Sequence, residues 1–304
     1  MPGAYTHITM ANQASEPRAL RGITAFSPSA IEACGRWLGF CELGAVSPDY
    51  PYLHVGSEAS KRWADKMHYE RTGDVIKTVV RRLRSMRGTA REKGLAWVLG
   101  YTAHVVMDVT MHPVVNLKVG PYEENKTAHR ICEMNQDVHI FQSLGLSVRL
   151  CEHLDTGIRR CVSATGGLDE DIRELWTEAL TTVHPDDAAS NPPDPDTWHK
   201  RFGQIVDSIE STGLFEPISR HVASGLGIFY PKETEIDVQY IKKLPTPAGP
   251  PIDFDALFAR AKTNVHHIWT AVASGVEGDD AFEIMLGDWN LDTGEDMSGR
   301  LVFW

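Results

Sequence analysis

The sequence has little that would staple, anchor or export it. Its five cysteines, at 34, 41, 132, 151 and 161, form an odd set with no C-x-x-C pair. That argues against a complete disulfide framework and against a cysteine zinc site. No run of about 18 apolar residues occurs, so no membrane-spanning helix is expected. The opening MPGAYTHITMANQASEPRALRG lacks the basic-then-apolar order of a secretory signal. A soluble, cytoplasmic protein is expected, unless the chain is the mature form of a secreted one. Cationic charge is scarce as well: 30 Lys and Arg against 41 Asp and Glu leave a formal charge of −11. A broad nucleic-acid surface needs clustered Lys and Arg to neutralise phosphates, so no stable nucleic-acid partner is expected.

Several catalytic signatures are missing too. There is no H-E-x-x-H, no adjacent His-Asp dipeptide, no G-x-S-x-G and no phosphate-binding glycine loop. Asp292-Thr293-Gly294 matches one aspartic-protease triplet, but a single copy offers no second carboxylate loop and reads as a turn. His266-His267 reads as a surface or core pair.

What is present is a globular composition: 304 residues, 42% hydrophobic and 23% charged. The acidic excess is concentrated between 275 and 296, which holds Glu277, Asp279, Asp280, Glu283, Asp288, Asp292, Glu295 and Asp296 and no Lys or Arg. Residues 77 to 93 go the other way, with Lys77, Arg81, Arg82, Arg84, Arg87, Arg91 and Lys93 against Glu92. This strip is either a solvated helix face or a surface for anionic lipid or phosphate.

Apolar spacing predicts an all-α chain. Helices are expected over 28 to 41 after a Ser27 cap, over 58 to 69, from Gly73 through GDVIKTVVRRLRSM, and over 123 to 144. Further helices are expected near 168 to 182, 198 to 225 and 253 to 273. AVSPDYPYLHVG, which carries Asp49, reads as a loop. GLAWVLGYTAHVVMDVTMHP is too long for a buried strand and reads as a core helix ending near His112, because Pro113 disfavours helical geometry before it. Residues 185 to 196 and 244 to 253 read as loops from their Pro and Asp content. The expected organisation is a helical catalytic domain over 1 to 184, a Pro/Asp-rich linker over 185 to 196, and a helical C-terminal extension over 197 to 304 packed on it.

Residues four apart share a helix face, so H-x-x-x-D/E brings an imidazole and a carboxylate to one cation. Random placement of 13 His and 41 acids gives about 1.8 such pairs, and three occur, at His54/Glu58, His104/Asp108 and His129/Glu133. The count alone therefore decides nothing. Placement does more: Asp108 lies in GYTAHVVMDVTMH, where an ionised carboxylate needs a partner. His112 continues that face, and His129, Glu133 and Asp137 repeat the spacing on the next predicted helix. Two such helices facing one another suit a multinuclear metal site, and core histidines with ion pairs are the alternative.

Taken together, THI with His7, SPDYPYLH with Asp49, WADKMHY with His68, HVVMDVTMH and HRICE resemble the bacterial zinc-dependent phospholipase C family, which is related to single-strand-specific zinc nucleases. The resemblance spans roughly residues 1 to 145. It implies up to three zinc ions: one held by Asp49, His68, His104 and Asp108, a second by His112, His129 and Glu133, and a third by His7 with a shared Asp108. Secreted relatives also use the mature N-terminal residue at the third ion. Here removal of Met1 before Pro2 would leave a terminus five residues from His7. The implied reaction is cleavage of the glycerol-side phosphoester of phospholipids by zinc-activated water, with Asp49 orienting or deprotonating that water and Tyr50 and Tyr52 bordering the substrate. The resemblance further implies a phospholipid or other phosphodiester substrate and peripheral membrane contact. Asp65 stands where some relatives have an aromatic, which leaves the headgroup open. A zinc nuclease or other phosphoesterase, or a helical interaction protein with structural zinc, are the alternatives.

Overall fold

Every residue from Gly94 to Val115 is buried, and these residues lie within one helix, Gly88–Val119, around which the others pack. The structure is a computed structural model and describes residues 3–144, 157–211 and 235–304. Met1, Pro2, Cys151 and the part of the expected 198 to 225 helix beyond 211 lie outside them. The described helices are α1 (Ala4–Ala14), α2 (Pro17–Arg21), α3 (Pro28–Arg36), α4 (Leu38–Val46), α5 (Glu58–Tyr69), α6 (Thr72–Ser85), α7 (Gly88–Val119), α8 (Tyr122–Phe141), α9 (Glu170–Val183), α10 (Pro185–Ser190), α11 (Pro195–Ser211) and α12 (Phe254–Val276). The sheet among the described residues is a short antiparallel ladder, β1 (Trp289–Asn290) on β2 (Glu295–Asp296). The fold is all-α, as expected. No described helix is long and apolar enough to cross a membrane.

Four expectations need correction. The helix expected over 28 to 41 is two helices broken at Trp37 (φ −120°, ψ 38°), whose indole donates to Glu92 on α7. The proline-punctuated loop bearing Asp49 is a 3-10 helix, Ser47–Leu53. The helix α7 runs through Pro113 rather than ending at His112. Pro113 withholds one N–H from the ladder, but Val114 and Val115 beyond it are buried, and tertiary packing of this kind overrides local preference. The Val109 carbonyl, four residues before the proline, is approached instead by Gly294, where a Cβ would lie 2.6 Å from that oxygen and 2.5 Å from Pro113 Cγ. Residues 185 to 196 also contain a short helix, α10.

Two features fix α7 against its neighbours. A Cβ on Gly100 would overlap the Cys41 carbonyl oxygen, and one on Gly44 would overlap that of Trp97, so α4 and α7 cross backbone to backbone. From the other side, Trp269 of α12 donates its indole N–H to Leu99 O (2.7 Å), and Trp304 donates to Thr110 O (2.8 Å). The basic strip is met largely by acids: Arg81 pairs with Glu283 (2.7 Å), Arg84 with Asp280 (2.7 Å), Arg82 with Glu178 (2.9 Å) and Lys93 with Asp169 (2.7 Å).

Candidate metal centre

The imidazoles of α1, α5 and α7 converge because their backbones are held in place by neighbouring elements. His7 sits on the second turn of α1, whose first amides are capped from α8: Asp137 accepts from Thr6 N (2.9 Å), Tyr5 N (3.3 Å) and the Thr6 hydroxyl. A Cβ on Gly3 would overlap that carboxylate, so glycine admits the cap. His7 then stacks on His104, ring centroids 4.0 Å apart. Asp137, which continues the His129/Glu133 face, thus anchors α1.

Five predicted residues gather in two overlapping groups. His7, His104 and Asp108 form one and Asp49, His68 and His104 the other, the ligand atoms of each lying within 4.8 Å of one another. The contacts are His7 Nε2 to Asp108 Oδ1 (3.3 Å), His104 Nε2 to Asp108 Oδ2 (3.4 Å), His68 Nε2 to Asp49 Oδ1 (3.2 Å) and His104 Nε2 to Asp49 Oδ1 (3.9 Å). His129 Nδ1 and Glu133 Oε1 lie 3.6 Å apart on α8. His112 does not close on that pair within the same span.

The rings are oriented from behind. His104 Nδ1 donates to Ala45 O (2.8 Å), which the close α4/α7 crossing supplies; His68 Nδ1 donates to Ala64 O (2.7 Å) and His112 Nδ1 to Leu291 O. A carbonyl only accepts, so these three rings carry hydrogen on Nδ1, and in the neutral form each presents a lone pair at Nε2. His129 is reversed: its Nε2 donates to Gly120 O (2.7 Å), leaving Nδ1 inward. The presented atoms, Nε2 of His7, His68, His104 and His112, Nδ1 of His129, Oδ1 of Asp49 and both oxygens of Asp108, are all buried with no hydrogen-bond partner. Buried polar atoms are nearly always satisfied. Orphaned donors of this type, turned toward one another, with four of the five rings (His68, His104, His112 and His129) fixed by a carbonyl on the far nitrogen, fit a divalent cation.

Electrostatics agree. Burial opposes charge on Asp108, yet His104, His112 and His7 hold its carboxyl well below the usual range. Burial likewise lowers His104, but Asp108 and Asp49 win and raise it to about 9. Burial and the neighbouring His104 push His7 down to about 4. A proton on His104 is thus the counter-charge the carboxylates recruit when no cation is bound. The Asp49 side chain is 18% exposed while His68, His104 and Asp108 are fully enclosed, so Asp49 marks the open side.

The two tyrosines separate. Tyr50, expected at the substrate, is completely buried against Phe202 (4.8 Å), Trp176 and His199, so that expectation is corrected: the 3-10 turn points it into the core. Tyr52 stays near the site, its ring 5.4 Å from His68 and its hydroxyl on Asp65 (2.9 Å). Sequence reasoning missed Leu291 and Asp292. Leu291 N–H donates to His68 O (3.0 Å), and Asp292 Oδ1 lies 4.0 Å from His112 Nδ1. The D-T-G triplet was the available signal, and it read as a turn. His54, the third H-x-x-x-E histidine, bonds Ser60 (2.9 Å) away from the cluster.

A family model described as zinc dependent phospholipase C matches residues 6–186. Neither the curated proteins nor the solved structures give a match.

Proposed function

Since the chain belongs to the zinc-dependent phospholipase C family, we propose that it hydrolyses the glycerol-side phosphoester of phospholipids, with Asp49, His68, His104 and Asp108 holding one zinc ion, His112, His129 and Glu133 a second, and His7 with the shared Asp108 a third. The observation that carries this is the set of buried, partnerless nitrogen and oxygen lone pairs facing one another across α1, α5, α7 and the Asp49 turn. Zinc supplies Lewis-acid polarisation of a phosphoryl oxygen and lowers the pKa of water to about 7.

The chain's own residues do the rest. Asp49 is the cluster carboxylate on the open side, and despite burial His104 and His68 keep it ionised. A carboxylate in that state accepts a hydrogen bond and orients water, and it is a weak proton acceptor. Tyr52 borders the approach beside His68. Tyr50 contributes by packing the Asp49 turn onto the aromatic core. We keep residues 1 to 184 as the proposed catalytic portion and 197 to 304 as an extension packed on it.

The test is zinc content together with headgroup release from mixed phospholipid vesicles, run beside cleavage of single-stranded DNA. Release of phosphorylated headgroup by the zinc-loaded protein is expected. DNA cleavage alone would move the assignment to the related nucleases, and bound zinc with turnover of neither substrate would mark a structural site.

A further inference from the structure

We propose that the turn Asn290–Gly294, which lies beyond the residues matched by the family, is the outer support of the metal centre, and that Asp292 is a positioning residue for His112. The inference rests on reading His112 as a metal ligand.

Leu291 joins two ligand-bearing helices through its backbone. Its N–H donates to the carbonyl of His68 on α5 (3.0 Å), and its carbonyl accepts from His112 Nδ1 on α7. The following residue brings a carboxylate to the same ring: Asp292 Oδ1 is 4.0 Å from His112 Nδ1. The carboxylate is held in turn, since Asp292 Oδ2 accepts from the Tyr69 hydroxyl (2.7 Å) and Asp292 O accepts from Asn116 Nδ2 (2.6 Å). Tyr69 follows His68 directly, and Asn116 lies one helical turn beyond His112. The turn is therefore tied to both helices next to their ligands.

The turn is built to keep this position. Asn290 Oδ1 accepts from Asp292 N (2.9 Å) and Thr293 N (3.1 Å), and Gly294 N closes on Asn290 O (2.9 Å). Gly294, at φ +73°, takes a conformation that favours glycine and seats the turn on the Val109 carbonyl. A loop that only tethered the C-terminus would need none of this aim at a histidine ring. The Leu291 carbonyl takes the one hydrogen on Nδ1 and so fixes the tautomer and orients the ring, while the Asp292 carboxylate, at 4.0 Å too far for a hydrogen bond, adds negative charge that raises the basicity of the nitrogen facing the metal. Loss of such outer partners lowers metal affinity about 10- to 100-fold.

Wild type, His112→Ala, Asp292→Asn and Asn116→Ala are compared for zinc affinity by competition with a chromophoric chelator, for the visible spectrum of the cobalt-substituted protein, and for melting of the metal-free protein. His112→Ala is expected to lose one ion. Asp292→Asn should weaken one ion about 10- to 100-fold and shift the cobalt bands, with the metal-free melting temperature near that of wild type, and Asn116→Ala should shift both readouts in the same direction. Unchanged affinity and spectrum in Asp292→Asn, with one ion lost from His112→Ala, would overturn the inference and leave the proposed function standing. Equal weakening of every ion with a lower metal-free melting temperature would overturn it as well, by reducing the turn to a general structural role. Retention of all ions by His112→Ala would remove the reading of His112 on which it rests.

Discussion

Asp108 shows most directly why this cluster needs a cation. Both its oxygens are enclosed without a hydrogen bond, and the atoms nearest them are the Nε2 nitrogens of His7 and His104, which themselves lack a hydrogen-bond partner. Taking away His104 or Asp108 removes a ligand belonging to the tightest part of the cluster, so His104→Ala and Asp108→Ala should lose zinc and turnover together, with activity down at least about 100-fold. Either variant retaining full metal and full activity would refute the assignment. His54→Ala is the matched control, expected to leave turnover largely intact. The candidate ligands that gather were legible because residue type and spacing survive in one dimension. The carbonyls of Ala45, Gly120 and Leu291 that orient three of the rings were not, since a backbone acceptor leaves no trace in the residue that carries it.

A histidine away from the cluster should contribute to acid stability. His199 is enclosed beside Tyr50, and burial lowers its pKa to about 4, with Asp196 pulling upward and Arg159 downward. The unfolded chain binds this proton near pH 6.5 and the folded one near pH 4, so between those values unfolding takes up a proton. The contribution is whole above pH 6.5 and is lost as pH falls toward 4, by roughly 2 to 3 kcal/mol for a shift of this size. Denaturant midpoints at pH 7 and 4.5 should diverge less in His199→Gln than in wild type. An identical divergence would show that His199 is not the group responsible.

At the scale of elements, the crossing of α4 on α7 does two jobs: it lets two backbones touch at Gly44 and Gly100, and it delivers the Ala45 carbonyl to His104. Gly100→Ala forces the helices apart where backbone, not a pliable side chain, is the obstacle. A loss of about 1 to 3 kcal/mol is expected from chemical denaturation, together with weaker zinc binding because His104 loses its orienting partner. Wild-type stability and zinc affinity would contradict the account. Periodicity found α5, α6 and α8 because each has a buried face and a wet one. It misjudged the end of α7, since a helix buried all round has no face to count and Pro113 was the nearest local stop signal. It also missed the 3-10 turn that sends Asp49 outward and Tyr50 inward, where two prolines look the same in a loop and in a tight helix.

For the whole molecule, the candidate ligands are drawn from α1, the 47–53 turn, α5, α7 and α8, so cations there would cross-link segments distant in sequence. Stripping metal with a chelator should lower the melting temperature, and zinc should restore it in a concentration-dependent way. Each ion adds about 2.7 kcal/mol once free zinc is 100-fold above its dissociation constant. A melting temperature indifferent to chelator would argue against any cation within the fold. The uneven charge of the chain also resolves at this scale: the basic face of α6 and the acidic stretch near the C-terminus meet as exposed ion pairs, each worth at most about 1 kcal/mol. Much of that strip is thereby matched within the chain, a pairing that composition could not show.

The seat of Gly294 against Pro113, and of the Trp304 indole on Thr110, carries an implication for the order of assembly. The stretch that closes over the far side of His112 lies far along the chain from every candidate ligand. A folding chain can gather every candidate ligand from α1 to α8 and still lack the backbone that steadies the His112 ring, so the finished centre matures only once that distant stretch has docked.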